Sequence, residues 1–506
     1  MEYKRQSPAA VKVKPRLIIH GGAGNIKPSN LAPPEYEAYR RALLTIVSLH
    51  VSILVTASAR PPPPPLPSSG KEGAGERRYS RKGRGFLADA KETQKIGKTS
   101  AYQTTPLAST ARLPSALDTA AHAVALLEDN PLFNSGHGAV FTRDGVNELE
   151  ASVMVSRGRK KRGVGVTGLR HVRNPILLAK AVLEHGDEDL GGSSSSSSAA
   201  AAAAGLNVPS AQGHTLLHGE TAETLARQYG LALVDAGYFF TQKRWDEHVR
   251  ALQREKEGRG VSTWSADEFL PQGTVGAVAL DEDGVVCVAT STGGLTNKLT
   301  GRIGDTPVVG AGFWAEEWVE DGDPTGAFLG TGGSEKGPVV VLSDALRGLM
   351  ADCLPSLRTY APLPAAGIGS AGQTTTTRAI AVSGTGNGDS FMRVAAGRTV
   401  GAVARWKPLS GAEAVSFVSG PGGELQRSAG DRWGVTGEGE GGVIGIEVAV
   451  ARDAEGRVVG ARSAVVQDFN CNGMYRAWID DDGRAYAKIY RGDVEGVDVG
   501  QLCEKW

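Results

Sequence analysis

The sequence predicts a domain that mixes α-helices with β-sheet, and three observations predict it. Two short apolar runs, 275–280 and 285–290, flank Asp283-Gly284, a pair that is typical of a hairpin turn. After Ser115, a residue that favours the start of a helix, apolar residues recur at helical spacing. The 68 glycines suit a sheet-rich core with many tight turns.

Composition excludes several classes of partner. Lys plus Arg equals Asp plus Glu, at 55 each, so no net field attracts nucleic acid or a membrane surface. Residues 1–16 lack the apolar core of a signal peptide, and the apolar run at 42–59 is interrupted and short for a membrane span. The four cysteines show no metal-binding spacing, which favours reduced thiols. We therefore expect a cytoplasmic protein with no organic cofactor.

In the first half of the chain, the pattern predicts a strand at 15–20 that runs into a glycine-rich turn, then a helix at 35–49. Residues 51–112 contain five consecutive prolines and a basic run, and they indicate a disordered insertion or a retained intron. The helix after Ser115 ends at Asn130-Pro131, and two strands follow at 139–142 and 149–153.

Later elements are predicted in the same way. Asn174-Pro175 favours a helix start, and the Ser/Ala-rich stretch at 191–204 indicates a disordered insertion. The other predicted segments are a helix at 221–229, a charged tether at 241–272, a helix at 343–354, and strands at 379–383, 443–450 and 458–466.

Thr274 is the candidate nucleophile. A threonine hydroxyl is a weak nucleophile unless a base lies beside it, and an N-terminal threonine carries its own base, the α-amine. Gly273 lacks a Cβ and suits a strained bond that the hydroxyl could attack. Taken alone, a Gly-Thr pair far more often marks only the start of a strand.

The residues around Thr274 resemble the plant-type asparaginase and isoaspartyl peptidase family of N-terminal-nucleophile hydrolases. The matching words are G-T-V-G-A-V-A-L-D at 273–281, A-T-S-T-G-G at 289–294 and N-K-L-T-G-R-I-G-D-T-P at 297–307. Further similarity lies at 131–155, 384–391 and 469–478. The resemblance implies a four-layer αββα sandwich and scission before Thr274.

The resemblance also implies an acyl-transfer site. Thr274 would be the catalytic nucleophile, Thr292 would orient it, and Thr385 with Gly386 would bind the oxyanion. Asn134 matches an asparagine beside the scissile bond, although an asparagine in a turn often bonds only its local backbone.

Substrate recognition is implied for two residues of the 301–305 loop. Arg302 would grip the α-carboxylate of asparagine or of a β-aspartyl dipeptide, and Asp305 would take the α-ammonium. The alternative is a surface salt bridge, which contributes little to stability.

The family's remaining features are expectations of the same kind. They comprise a homodimer of αβ units and a structural sodium ion held by main-chain carbonyls. The carbonyls at the matching positions belong to Leu127, Glu128, Asn130, Phe133, Ser135 and His137.

Scission would divide a single domain into residues 1–273 and 274–506, with a second insertion at 314–378. The alternatives left open are a glycosylasparaginase, a threonine-type endopeptidase on the same scaffold, and an uncleaved, inactive amino-acid-binding homologue.

Overall fold

The structure, a computed structural model, describes residues 12–58, 113–158, 163–191, 210–266, 268, 270, 273–320, 375–407, 409–493 and 496–498. One compact unit comprises residues 1–53 and 114–506. The other unit comprises residues 54–113, of which only 54–58 and 113 are described.

The described part of the chain alternates strands and helices, so the predicted mixed α/β class is confirmed. The strands are β1 (Arg16–Gly24), β2 (Leu149–Val155), β3 (Gly163–Leu169), β4 (Leu216–His218), β5 (Val275–Leu280), β6 (Val286–Thr292), β7 (Phe313–Val319), β8 (Thr375–Gly386), β9 (Gly441–Arg452), β10 (Val458–Phe469), β11 (Gly473–Ile479), β12 (Arg484–Lys488) and β13 (Gly496–Asp498). The helices are α1 (Pro33–Ser58), α2 (Ala116–Glu128), α3 (Pro175–Gly191), α4 (Gly219–Gln228), α5 (Gln242–Lys256), α6 (Gly388–Arg393), α7 (Ala396–Trp406), α8 (Gly411–Ser419) and α9 (Glu424–Ala429). Short 3₁₀ turns occur at 136–138, 236–239 and 430–432.

Within the described residues the strands form two sheets. The larger has nine strands in the order β13-β12-β11-β1-β5-β6-β2-β3-β4, and the smaller has four in the order β10-β9-β8-β7. The predicted hairpin is present as β5 and β6, which pair antiparallel from Val275↔Ser291 to Leu280↔Val286. β1 lies between β5 and β11, so the first and last parts of the chain share one sheet.

Alternation along the strands directs side chains to two opposite sides of each sheet. In β5, Ala277 and Ala279 join an apolar cluster with α1, α2 and α3, whereas Val278 joins a second cluster between the two sheets. In β8, Ala381 faces that second cluster and Val382 faces a third cluster with α7 and α8. A fully buried aliphatic side chain contributes about 1.5–3 kcal/mol.

Several predicted boundaries are wrong. α1 continues from 49 to Ser58, into the stretch predicted as an insertion from residue 51, because no proline or glycine interrupts the chain before Pro61. Residues 314–319 and 375–378 belong to β7 and β8, so the predicted insertion at 314–378 overlaps both strands. Threonines at 375–377 and the tryptophans at 314 and 318 favour strands, and β7 and β8 pair across the sheet. The predicted helix at 343–354 lies outside the described residues.

Other differences concern segments where the sequence pattern predicted an element that is absent, or did not predict one that is present. No strand forms at 139–142, where the chain runs without regular pairing. The pattern did not predict β3, α7, α8 or α9. β3 and α7 each contain glycines, which lower the propensity for both strand and helix. Among the described residues no helix is both long and apolar enough to cross a bilayer. Cys287 and Cys471 are free thiols, and Cys353 and Cys503 lie outside the described part.

The predicted tether at 241–272 contains α5, which is packed rather than loose. Its buried residues Arg244, Glu247, His248 and Ala251 follow helical spacing, but most of them are polar, which hid the helix from the apolar pattern. Arg244 donates to the carbonyls of Gly138 and Leu132 and pairs with Glu247 at 2.9 Å. α5 is therefore fixed to the loop that follows α2.

Replacing Arg244 with methionine should lower the free energy of unfolding by about 3–5 kcal/mol, because Glu247 would remain buried without its cation. The matched control is Arg250→Met on the same helix, where the side chain is 60% exposed and pairs with Glu268. The control should change stability by less than about 1 kcal/mol. Urea unfolding measures both, and equal midpoints for the two variants would contradict the buried role of Arg244.

Candidate functional site

Thr274 lies at the start of β5 and is buried. Val275 pairs with Ser291, and because β5 and β6 are antiparallel, the preceding residue Thr274 lies opposite Thr292. The hydroxyl of Thr274 lies 3.0 Å from the hydroxyl of Thr306. The structure thus brings the two predicted threonines side by side across the hairpin and adds a third hydroxyl.

Gly273 is in close backbone contact with the glycine-rich turn at the end of β1. A side chain at Gly273 would overlap the backbone of Gly22, which has φ +122°. Only a residue without a Cβ fits such an approach. The requirement for glycine before Thr274 therefore arises from packing.

Asn134 fixes the turn that follows Thr292. Its side-chain amide donates to the carbonyl of Gly294 at 2.7 Å, and its own carbonyl accepts from Gly293 N at 3.1 Å. Its side-chain oxygen accepts from Val140 N. The contacts of Asn134 therefore support the segment beside Thr274 across a long sequence separation, beyond the local turn that asparagine usually makes.

Arg302 and Asp305 lie on either side of Gly304 and differ in environment. The Arg302 guanidinium donates to Asp389 at 2.9 Å and is 19% exposed. Asp305 is buried, and burial raises the pKa of its carboxyl to about 7, against the charge of Arg302, which lowers it. A Cβ on Gly388 would lie 2.5 Å from Asp305 Oδ1 and 3.1 Å from Arg302 Nη2. The carboxylate and the guanidinium group therefore both lie beside Gly388.

Backbone bonds connect this loop to the end of β8. Gly312 N donates to the Asp305 carbonyl at 3.1 Å, and Gly384 N donates to the Gly312 carbonyl at 2.8 Å. Thr385 and Gly386 follow directly, and a Cβ at Gly386 would overlap the carbonyl of Glu440. Since Thr306 follows Asp305 and contacts Thr274, the predicted residues form one connected set.

Two buried oxygens of this set have no hydrogen-bond partner among the residues that the structure describes. They are Oδ2 of Asp305 and Oγ1 of Thr385. A buried polar atom without a partner costs about 1–3 kcal/mol. Both atoms belong to residues that backbone bonds connect, and a buried polar atom left without a partner is expected where a polar ligand completes a site.

His20 and Ser383 form a second buried polar pair close to Thr274. His20 Nε2 lies 2.7 Å from Ser383 Oγ, and both atoms lie over Gly276, where a Cβ would overlap them. Burial lowers the pKa of His20 to about 3, although a backbone hydrogen bond with Thr274 partly opposes the shift. His20 is therefore neutral at neutral pH.

The loop predicted to hold sodium is tightly wound. A side chain at Gly136 would overlap the carbonyl of Glu128, and one at Gly138 would overlap the carbonyl of Phe133. The carbonyls of Leu127, Asn130, Phe133 and Ser135 each accept one backbone hydrogen bond, which leaves each a second lone pair. Among the described residues no group of three or more His, Cys, Asp or Glu side chains could hold a metal ion. An ion here would have to be a hard cation bound by backbone oxygens.

A polar cavity of about 440 Å³ lies elsewhere on the sheet. Its lining includes Arg170, His171 and Glu223 and none of the predicted site residues. It touches the site only through Glu148, whose carboxylate accepts from both Arg170 and Gly301 N.

Comparison with known proteins agrees with this geometry. The model of the asparaginase family (Asparaginase_2) matches residues 87–212 and 196–327, a span that includes Asn134, Thr274, Thr292, Arg302 and Asp305. Over this span, just under half of its length, the chain is similar to this family.

Curated relatives carry related names. The isoaspartyl peptidase of Escherichia coli strain K12 is 43% identical over 204 residues, which cover 40% of this chain and 54% of that protein. The plant-type L-asparaginase of Pyrobaculum calidifontis is 34% identical over 229 residues, 45% of this chain and 62% of that protein. The isoaspartyl peptidase/L-asparaginase of Macaca fascicularis is 37% identical over 222 residues, 44% of this chain and 59% of that protein. The chain thus spans little more than half the length of the relatives it matches.

Sequence reasoning missed Thr306, His20 with Ser383, and the carboxylates of Glu148 and Glu150. The last two had a detectable signal, because the glutamates alternate where a mostly apolar strand begins, Glu148 just before it and Glu150 within it. The contact between Thr306 and Thr274 had none, since it depends on how the 301–307 loop folds back.

Replacing His20 with glutamine should make the fold less sensitive to acid. The folded pKa of about 3 lies below the unfolded value of 6.5, so the unfolded state binds more protons as pH falls from 6.5. At pH 5 this linkage removes about 2 kcal/mol of wild-type stability relative to pH 7. Urea unfolding at both pH values should show a smaller fall for the variant. Equal falls would show that His20 can be protonated inside the fold.

Proposed function

We propose that this chain is a threonine amidohydrolase that cuts itself between Gly273 and Thr274 and then hydrolyses L-asparagine or β-aspartyl dipeptides. The proposal is carried by one observation, the two partnerless buried oxygens of Asp305 and Thr385, which belong to the same connected set as Thr274. The isoaspartyl peptidase and L-asparaginase names of the relatives support the same substrate class.

Scission would begin when Thr274 Oγ attacks the carbonyl carbon of Gly273. The amide bond would become an ester, and water would then release the Gly273 carboxylate and leave Thr274 with a free α-amine. Before scission the Thr274 nitrogen is an amide and cannot accept a proton. The hydroxyl of Thr306, at 3.0 Å, is placed to accept or relay the proton of the attacking hydroxyl.

Turnover would use the freed amine as base. Thr274 Oγ attacks the side-chain amide carbon of asparagine, the amine takes the hydroxyl proton, and the same proton leaves with ammonia. Water then hydrolyses the acyl ester and gives aspartate. Thr385 Oγ1 and the Gly386 N–H would bind the oxyanion, where one donor contributes about 3 kcal/mol.

Binding would select a free α-amino acid head group. Arg302 would take the α-carboxylate and Asp305 the α-ammonium, and burial of Asp305 strengthens such a contact. Salt-bridge formation on the surface does not account for this pair, since the hydrogen-bond partner of Arg302 is Asp389 and Asp305 is enclosed.

The finer architecture belongs to the same proposal. The three apolar clusters support a four-layer αββα sandwich of the N-terminal-nucleophile type, with helices outside and the two sheets inside. A sodium ion in the loop after α2 would be held by the main-chain carbonyls of residues 127–137 and would stiffen the loop that carries Asn134. A homodimer of αβ units stays a prediction.

Wild-type protein should separate on a denaturing gel into two fragments of 273 and 233 residues, and intact mass should place the junction at Thr274. Thr274→Ala should remain one chain and release no ammonia from L-asparagine. The control is Thr221→Ala, at an exposed position of α4, which should behave as wild type. One full-length band from wild type would contradict self-scission and favour an inactive amino-acid-binding homologue. Faster release from glycosylated asparagine than from asparagine would favour a glycosylasparaginase, and cleavage of longer peptides an endopeptidase.

Binding of the product L-aspartate should strengthen as pH rises from about 6 to 8, because the Asp305 carboxyl loses its proton near pH 7 and can then pair with the α-ammonium. The free α-amine of Thr274 would titrate in the same pH range and would add its own contribution to the pH dependence of binding. In Asp305→Asn the pH dependence that comes from the amine should remain, and the part that comes from the Asp305 carboxyl should be lost. Calorimetric titrations give both curves. Curves that run parallel in the two proteins would exclude Asp305 as the ammonium ligand.

A further inference from the structure

We propose that Glu150 is a positioning residue that holds the Gly301–Asp305 loop, so that Arg302 and Asp305 face the nucleophile. This inference rests on the proposed function, since it assigns a role within the same substrate site. Glu150 does not touch the predicted reacting atoms and acts through the backbone of the loop.

Strand register places Glu150 in line with the nucleophile. Glu150 of β2 pairs with Thr292 of β6, and Thr292 lies opposite Thr274 at the start of β5. Residues in one row across adjacent strands point to the same side of a sheet. Met154, four residues on from Glu150, packs between the two sheets, so the row faces the second sheet.

The carboxylate of Glu150 accepts hydrogen bonds from the backbone of the loop. Gly304 N donates to both oxygens of Glu150, at 3.2 and 3.3 Å. Three residues earlier, Gly301 N donates to Glu148 at 2.7 Å. Two carboxylates, Glu150 within β2 and Glu148 just before it, therefore hold the backbone on each side of Arg302. Charge-assisted bonds of this kind are about twice as strong as neutral ones.

Lys298 balances the buried charge. Its ammonium lies 3.9 Å from Glu150 Oε1 and donates to the carbonyl of Glu148 at 3.1 Å, and both side chains are 1% exposed. The other groups that face Glu150 are the hydroxyl of Thr167, at 3.4 Å, and the charges of Arg302 and Asp305. Burial lowers the pKa of Lys298, against the charge of Glu150, which raises it. A buried cluster of this composition is a poor source of stability, which favours a role in geometry.

Gly304 is the point where the two side chains converge. A Cβ built on Gly304 would lie 2.8 Å from Arg302 Nη1 and 3.3 Å from Glu150 Oε2. The guanidinium therefore crosses the peptide whose N–H Glu150 accepts. Movement of that peptide would move Arg302 as well.

Glu150→Gln should test the role, because glutamine keeps the shape but removes the charge and presents an amide group to Gly304 N–H. The variant should still cut itself. Its affinity for L-aspartate, measured by calorimetry, should fall by about tenfold or more, and its KM for L-asparagine should rise by the same factor while kcat changes less than about threefold. Inhibition by propanoate, which lacks both the α-carboxylate and the α-ammonium group, should be unchanged.

The matched control is Glu447→Gln, which removes an equally buried carboxylate that pairs with Arg378 in the smaller sheet. It should lower the unfolding temperature without changing the affinity for L-aspartate. If Glu150→Gln does not fold, Gly304→Ala replaces it, because the added methyl group would overlap Arg302 Nη1 and crowd Glu150 Oε2, and should weaken L-aspartate binding similarly.

Unchanged affinity for L-aspartate in Glu150→Gln, or in Gly304→Ala where that variant replaces it, would overturn the inference. So would a loss confined to kcat. A wild type that binds L-aspartate but hydrolyses neither asparagine nor β-aspartyl dipeptides would instead overturn the proposed activity, and binding would still decide the role of Glu150.

Discussion

The antiparallel pairing of β2, β6 and β5 is the constraint on which the site depends. It sets Glu150, Thr292 and Thr274 in one row on the face that looks toward the second sheet. A shift of one residue in either register would turn the side chain of Thr274, the proposed nucleophile, toward the helices. The apolar neighbours Ala151, Ala289 and Ala277 occupy that opposite face, and their burial against α2 and α3 fixes the register.

The second sheet completes what the first begins. The end of β8 carries Thr385 and Gly386, and backbone bonds through Gly312 bind it to the loop of Asp305. The polar contacts of the site are therefore made where two apolar layers meet. Burial there raises the pKa of the Asp305 carboxyl and lowers the pKa of His20, so both side chains favour their neutral forms.

Local patterns predicted much of this from the sequence. The hairpin around Asp283-Gly284, the cap at Ser115 and the helix opened by Pro175 were all predicted, because each depends on neighbouring residues alone. α5 was not predicted, since its buried face is made of Arg244, Glu247 and His248, whose burial depends on partners far away in the chain. The pairing of β7 with β8 was hidden for the same reason, as a long stretch of sequence separates the two strands.

The position of β1 bears on the order of folding and the proposed scission. β1 comes before the proposed cut, yet both of its neighbours, β5 and β11, come after it. Either fragment made separately would present bare strand edges to other molecules. Assembly of the sheet must therefore precede scission, and a severed chain would persist as two interleaved pieces that share one hydrogen-bonded scaffold.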